Sequence, residues 1–239
     1  MEVAAESIVA QHGTDRRFFT GMAVASALTV FAGFAPTYFL KGVFGAPPLS
    51  PLVHFHGVLF TSWIVLFLVQ ATLIAAKRTD IHRRLGIAGA LLSVLMPVVG
   101  AVVALNAARR GFSPPGGPPP LVFLAIPLGD LVVFASLAWL ALYFRSRSEI
   151  HKRLMLMATI QLLTPAIARL PFVMEAGPLA FFALTDVFVV ACLLYDRKAR
   201  GRVHPAFLWG GAFLILCQPL RLLISGTDLW LAFAGWLAG

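Results

Sequence analysis

Seven uninterrupted apolar blocks, each about 20 residues long, constrain this chain more than any other feature: Phe18 to Leu40, Leu52 to Ala76, His82 to Ala107, Pro120 to Phe144, His151 to Val173, Leu179 to Tyr195 and His204 to Ile224. A hydrocarbon core of about 30 Å needs about 20 apolar residues at 1.5 Å per residue, and only structures that satisfy their own backbone survive there. The expected fold is therefore an all-α polytopic bundle of seven transmembrane helices, with residues 1–17 as a cytoplasmic segment and 18–239 as a single bundle domain. Composition agrees: 59% of the 239 residues are hydrophobic, 12% are charged and the mean hydropathy is +0.88. A soluble globular domain is excluded.

The formal charge of +9 does not point to nucleic acid, because the basic residues are confined to short loops. Lys77, Arg78, Arg83 and Arg84 follow the second block; Arg145, Arg147, Lys152 and Arg153 follow the fourth; Arg197, Lys198, Arg200 and Arg202 follow the sixth. The positive-inside rule makes these loops cytoplasmic and, with Arg16 and Arg17, puts the amino terminus inside a bacterial inner membrane. Asp15-Arg16-Arg17-Phe18-Phe19 loosely resembles a twin-arginine export signal, but 23 apolar residues read as a retained anchor. Leu229 to Leu237, with Trp230 and Trp236, is too short to cross and suits the interface. Cys192 and Cys217 are too few for a disulfide framework or a Cys-based metal site.

A motif recurs. Thr79-Asp80-Ile81-His82-Arg83-Arg84-Leu85-Gly86 matches Ser148-Glu149-Ile150-His151-Lys152-Arg153-Leu154-Met155, and a weaker copy is Gly201-Arg202-Val203-His204-Pro205. Pro97, Pro165 and Pro219 follow these histidines at similar intervals. The pattern predicts three tandem two-helix hairpins after one extra helix, with each odd helix kinked at its proline. Gly111 to Pro120 is a breaker-rich external connector of polyproline character.

Intramembrane ionisable groups are costly and demand a partner or a function. Asp130, Arg169, Asp186 and Arg221, with His54 and His56 opening the second helix, all fall in the outer half, and with Gln218 one turn inside Arg221 and Gln161 near mid-membrane they could line one polar cavity. The bland alternative pairs Asp130 with Arg169 and Asp186 with Arg221, each within its own hairpin. His54 and His56 stand about 200° apart on a helix, so only one can face the bundle. Under a functional reading, His54, Asp130 and Asp186 are candidate ligands of a transition metal, or His54 or His56 binds a haem iron with Arg169 and Arg221 on its propionates. On the inner face, His82, His151 and His204 offer an alternative metal or bis-histidine haem site. The weightier reading there is helix-start chemistry, with Thr79 and Ser148 as N-caps and the basic residues on lipid head groups.

The segments His54-Phe55-His56-Gly57, Asp80 to Gly86, Glu149 to Met155 and His204-Pro205-Ala206-Phe207 resemble a group of uncharacterised bacterial multi-pass membrane proteins. The His151-Lys152-Arg153-Leu154-Met155 start is remotely similar to small membrane proteins associated with haem-copper oxidase assembly, which implies haem, copper or respiratory-chain partners. Three functions follow as expectations. The first is a redox or metal protein with a respiratory-assembly role. The second is a transporter or receptor for a small anionic molecule, and the third is a non-catalytic subunit of a membrane complex. No nucleotide-binding loop, nucleophile elbow or HExxH motif occurs.

Overall fold

The computed structural model describes residues 2–114, 116–173 and 175–239, with side chains from Gly13 onward. Ten α-helices follow one another among the described residues, and no strand occurs. They are α1 (Glu2–Phe34, extended by a π-helical turn at Ala35–Phe39), α2 (Pro51–Ala75), α3 (Thr79–Arg109), α4 (Pro120–Phe123), α5 (Ala125–Tyr143), α6 (Ser148–Gln161), α7 (Thr164–Ile167), α8 (Pro178–Arg200), α9 (Pro205–Ser225) and α10 (Asp228–Ala238).

Six helical segments are long and apolar enough to cross a membrane: Gly13–Phe39, Pro51–Ala75, Thr79–Arg109, Pro120–Tyr143, Pro178–Arg200 and Pro205–Ser225. The expected seventh, His151 to Val173, is not a continuous helix. It is split into α6 and α7 by a turn at Leu162 and Leu163, and α7 ends at Ile167. Position in the bundle explains why this is tolerated. Leu154, Leu156, Met157, Ala158, Thr159, Ile160, Gln161, Leu163, Thr164, Ala166 and Ile167 are all buried, packed by α1, α5, α8 and α9. A break in backbone pairing at membrane depth is affordable where protein rather than lipid surrounds it. The α6–α7 segment is thus the central post, and it can carry Thr159, Gln161 and Thr164 because protein buries all three.

Close backbone approach holds the post. A Cβ on Gly33 would fall on the carbonyl of Ala166, so only glycine lets α1 lie against α7. Trp63 reaches in from α2, donating from Nε1 to Thr159 Oγ1 at 3.2 Å and meeting Phe134 edge-on with centroids 4.9 Å apart. Each such neutral bond is worth about 1 kcal/mol.

The expected equivalence of the three hairpins has no support in these helices. Pro97 and Pro219 lie inside the unbroken helices α3 and α9, and only Pro165 coincides with an interruption. The helix α1 runs from Glu2 through Phe18 to Phe34. The connector after α3 is irregular through Pro119, whose φ of −50° and ψ of 151° are polyproline-like, and Pro115 within it lies outside the described residues. Among its prolines, Pro118 accepts a hydrogen bond from Ser113 Oγ at 2.5 Å. The short α10 packs against α3 and α4: Arg109 donates to the carbonyls of Ala238 and Leu237, and Trp230 Nε1 donates to Leu121 O at 2.8 Å.

Candidate functional site

At the end of the bundle away from the basic loops, α5, α6 and α9 meet around Asp130. Its Oδ1 accepts from Gln161 Nε2 at 2.5 Å and from Arg221 Nη1 in a buried ion pair. Arg221 is seated by three further features. Its Nε donates to Cys217 O at 2.9 Å, its guanidinium lies 5.3 Å from the centre of the Phe182 ring, and a Cβ on Gly129 would collide with its stem. One turn inward on α9, Gln218 Nε2 donates to Asp186 Oδ1 at 2.8 Å. Two polar atoms in this group are buried without a partner: Gln161 Oε1 and Arg221 Nη2. One is an acceptor, the other a charged donor.

The pairing within hairpins is therefore corrected. Asp130 pairs with Arg221 of the last long helix, 91 residues away, and Asp186 takes Gln218. Arg169 takes neither aspartate. It is exposed, donates to Pro165 O at 2.6 Å and stacks over Phe34 with 4.6 Å to the ring centre.

The two histidines at the start of α2 do diverge. His54 is exposed beside Tyr38, whose hydroxyl donates to His54 O at 3.2 Å, whereas His56 packs on Phe60 and has its Nδ1 buried without a partner. The set His54, Asp130 and Asp186 is not assembled: His54 faces outward, Asp130 is held by Arg221 and Gln161, and Asp186 is held by Gln218. A haem flanked by Arg169 and Arg221 would need Arg221 to leave Asp130. Among the described residues, no group of three or more His, Cys, Asp or Glu side chains is placed to hold a metal ion. Cys192 and Cys217 are free.

The basic end holds a second charged cluster, most of it beyond the reach of the sequence argument. Arg153 is completely buried and grips Asp196 with two parallel bonds, Nε to Oδ2 at 2.9 Å and Nη2 to Oδ1 at 2.6 Å. Its Nη1 donates to Glu149 Oε2 at 2.8 Å. Asp15 of α1 accepts from Lys152 at 2.6 Å, from Arg200 at 2.7 Å and from the Tyr195 hydroxyl. Arg200 also reaches Glu149 at 3.0 Å and Asp196 at 3.3 Å, and His204 N donates to Asp196 Oδ2 at 3.0 Å. Three carboxylates thus balance three cations across α1, α6, α8 and the start of α9. Burial alone would raise the Glu149 carboxyl, but hydrogen bonds from Lys152 and Arg153 hold it below its ordinary range.

This overturns two expectations. Lys152, Arg153 and Arg200 meet protein carboxylates rather than lipid head groups. The capping roles of Thr79 and Ser148 also fail, since the residues that flank α3 and α6 are Arg78 and Arg147 and neither makes a side-chain cap bond. The true histidine cap is His204, whose Nδ1 accepts from Ala206 N at 3.1 Å, so it stands apart from His82 and His151.

Comparison with known proteins adds nothing to this geometry: no family model matches the chain, and no curated protein or solved structure matches it.

Proposed function

We propose that this chain is a seven-crossing protein of the bacterial inner membrane, amino terminus inside, that carries a small anion together with a proton at the Asp130–Arg221 pair. The α6–α7 post counts as the fifth crossing. The observation that carries the reading is a buried guanidinium paired through one nitrogen while its other terminal nitrogen has no partner. An ionisable residue within a membrane bundle, with its partner named, is by default a functional site.

The chemistry follows from charge balance. A buried guanidinium needs one compensating negative charge. Ionised Asp130 supplies it in the resting pair. When Asp130 takes up a proton, the compensating charge is lost and an anion can replace it at Arg221, with the free Nη2 as first donor. Proton and anion therefore bind together, and the combined load is neutral. Gln161 Oε1, buried and unpartnered, stands ready to accept a hydrogen bond from the protonated carboxyl or from the ligand. Asp186 and Gln218, one turn inward, extend the polar row.

These pairings favour the carrier over a metal or haem at the outer end, where Asp130 and Arg221 engage each other. The test of the carrier is proton uptake into proteoliposomes loaded with a pH-sensitive dye, driven by gradients of acetate, pyruvate, benzoate or inorganic phosphate. Wild-type protein gives anion-dependent uptake. Arg221→Gln and Asp130→Asn abolish it. Uptake that is equal in both variants, or absent with all four anions in folded wild-type protein, refutes the proposal.

A further inference from the structure

On the basic end, α3 and α6 each place a histidine at their fourth residue, and the two helices bring them together. The rings of His82 and His151 have centroids 6.4 Å apart with planes at 81°. His151 Nδ1 lies 2.8 Å from Ala141 O. A carbonyl only accepts, so Nδ1 carries the proton and Nε2 keeps its lone pair, the arrangement in which a backbone carbonyl orients a metal-binding imidazole. His82 Nδ1 is buried without a partner. So is Gln70 Oε1, while Gln70 Nε2 donates to the backbone carbonyl of His82 at 3.1 Å and so ties the amide to that turn of α3.

Among the described residues, His82 Nδ1 and Gln70 Oε1 are thus buried without a partner, and His151 Nε2, on the ring next to His82, takes part in no hydrogen bond. Buried polar atoms left unpaired are costly, and each calls for an explanation such as an ion. The spacing supplies one. At about 2.0–2.1 Å per metal–nitrogen bond, two imidazoles that share one ion have ring centroids about 5–6 Å apart, so a small rotation of either side chain closes the pair on a metal. Helix-start chemistry does not account for these histidines, because neither caps its helix.

We propose that His82 and His151 are the paired nitrogen ligands of an imidazole-preferring metal centre, with Gln70 as the adjoining oxygen group. The metal is a free first-row ion of the copper or zinc class or the iron of a haem, which share this donor chemistry. Arg83 and Arg84, exposed on the next positions of α3, would suit the carboxylates of a haem. This site lies on the opposite end of the bundle from Arg221 and does not depend on the carrier reading.

The test uses the full chain purified in mild detergent and exposed separately to hemin, Cu(I), Zn(II) and Co(II), followed by desalting, elemental analysis and absorption spectra. One equivalent of metal is expected. A Soret band identifies haem, whereas metal without that band, or a nitrogen-ligated Co(II) spectrum, identifies the free ion; either supports the proposal. H82Q and H151Q should each lose stoichiometric binding, and Gln70→Leu should weaken it about tenfold. His204→Gln should retain it. Elution as a monodisperse peak shows that a variant has folded, and Gln70→Leu with His204→Gln keeps the test decisive if a histidine variant does not. Folded wild-type protein that retains none of the four probes overturns the proposal, as does binding unchanged in H82Q, H151Q and Gln70→Leu.

Discussion

The two charged clusters of this bundle differ in how completely they are satisfied. At the basic end, Asp15, Glu149 and Asp196 face Lys152, Arg153 and Arg200, and each of the six has a partner of opposite charge. At the other end a single carboxylate and a single guanidinium share one bond, with Gln161 Oε1 and Arg221 Nη2 left over. A saturated network fixes helices in place, because its carboxylates and cations neutralise one another across them. An unsaturated one retains the capacity to take on a further group. The first cluster therefore reads as the clasp of α1, α6, α8 and α9, and the second is the one to which we assign the proposed anion binding.

Isosteric substitution should separate these roles most sharply. Asp196→Asn removes the bidentate partner of Arg153, which is fully buried and would keep only Glu149, and should cost about 3–5 kcal/mol, read as a large fall in melting temperature in detergent, while folded protein in liposomes keeps its anion-dependent proton uptake. Asp130→Asn, which removes the one carboxylate paired with Arg221, should also cost about 3–5 kcal/mol, but in folded protein it eliminates uptake. If Asp196→Asn instead abolished uptake in fully folded protein, the division of labour would collapse.

Gly129→Ala should push the Arg221 stem aside, at about 1–3 kcal/mol for the overpacking, and reduce anion binding without touching a charge. Acid should loosen the clasp through Glu149, whose carboxyl is held below its ordinary range. The stabilisation from a depressed carboxyl is complete above its unfolded value and fades as pH falls through the folded one. The melting temperature should therefore drop below about pH 4.5, and the drop should shrink in Glu149→Gln. Thr159→Val, which removes the acceptor of the Trp63 indole, should cost about 1 kcal/mol. Arg78→Ala, by contrast, breaks only an exposed pair with Asp80 and should leave the melting temperature unchanged.

Hydropathy alone made the membrane-compatible bundle legible, since length and apolarity are local properties of each segment. Six of the seven blocks appear as long apolar helices. The exception is instructive. The block after His151 looked like the others in sequence, yet it is the one enclosed by protein, and enclosure rather than apolarity is what permits its break. The repeated motif misled for a related reason. Arg84 and Arg153 occupy matching positions, but the first is exposed and the second is completely buried against Asp196. Similar sequence does not carry information about which helix lies opposite.

The site was half legible. Asp130, Arg221, Gln161 and Gln218 stood out because polar groups are rare inside such segments, and they do converge. Which carboxylate met which arginine depended on the rotation of each helix about its axis, which hydropathy leaves open. Asp15 and Asp196 gave no signal at all, since a carboxylate beside arginines at a helix end looks like an ordinary loop.

Anion affinity as a function of pH is the most direct test of the central claim that Asp130 and an anion compete for Arg221. It is measured on wild-type protein and on Asp130→Asn, with whichever of the four anions drives the greatest uptake. The account predicts wild-type affinity that strengthens as pH falls, and Asp130→Asn affinity that is as strong as the low-pH wild type and independent of pH. A variant that keeps the wild-type pH dependence, or that binds no anion while folded, would contradict it.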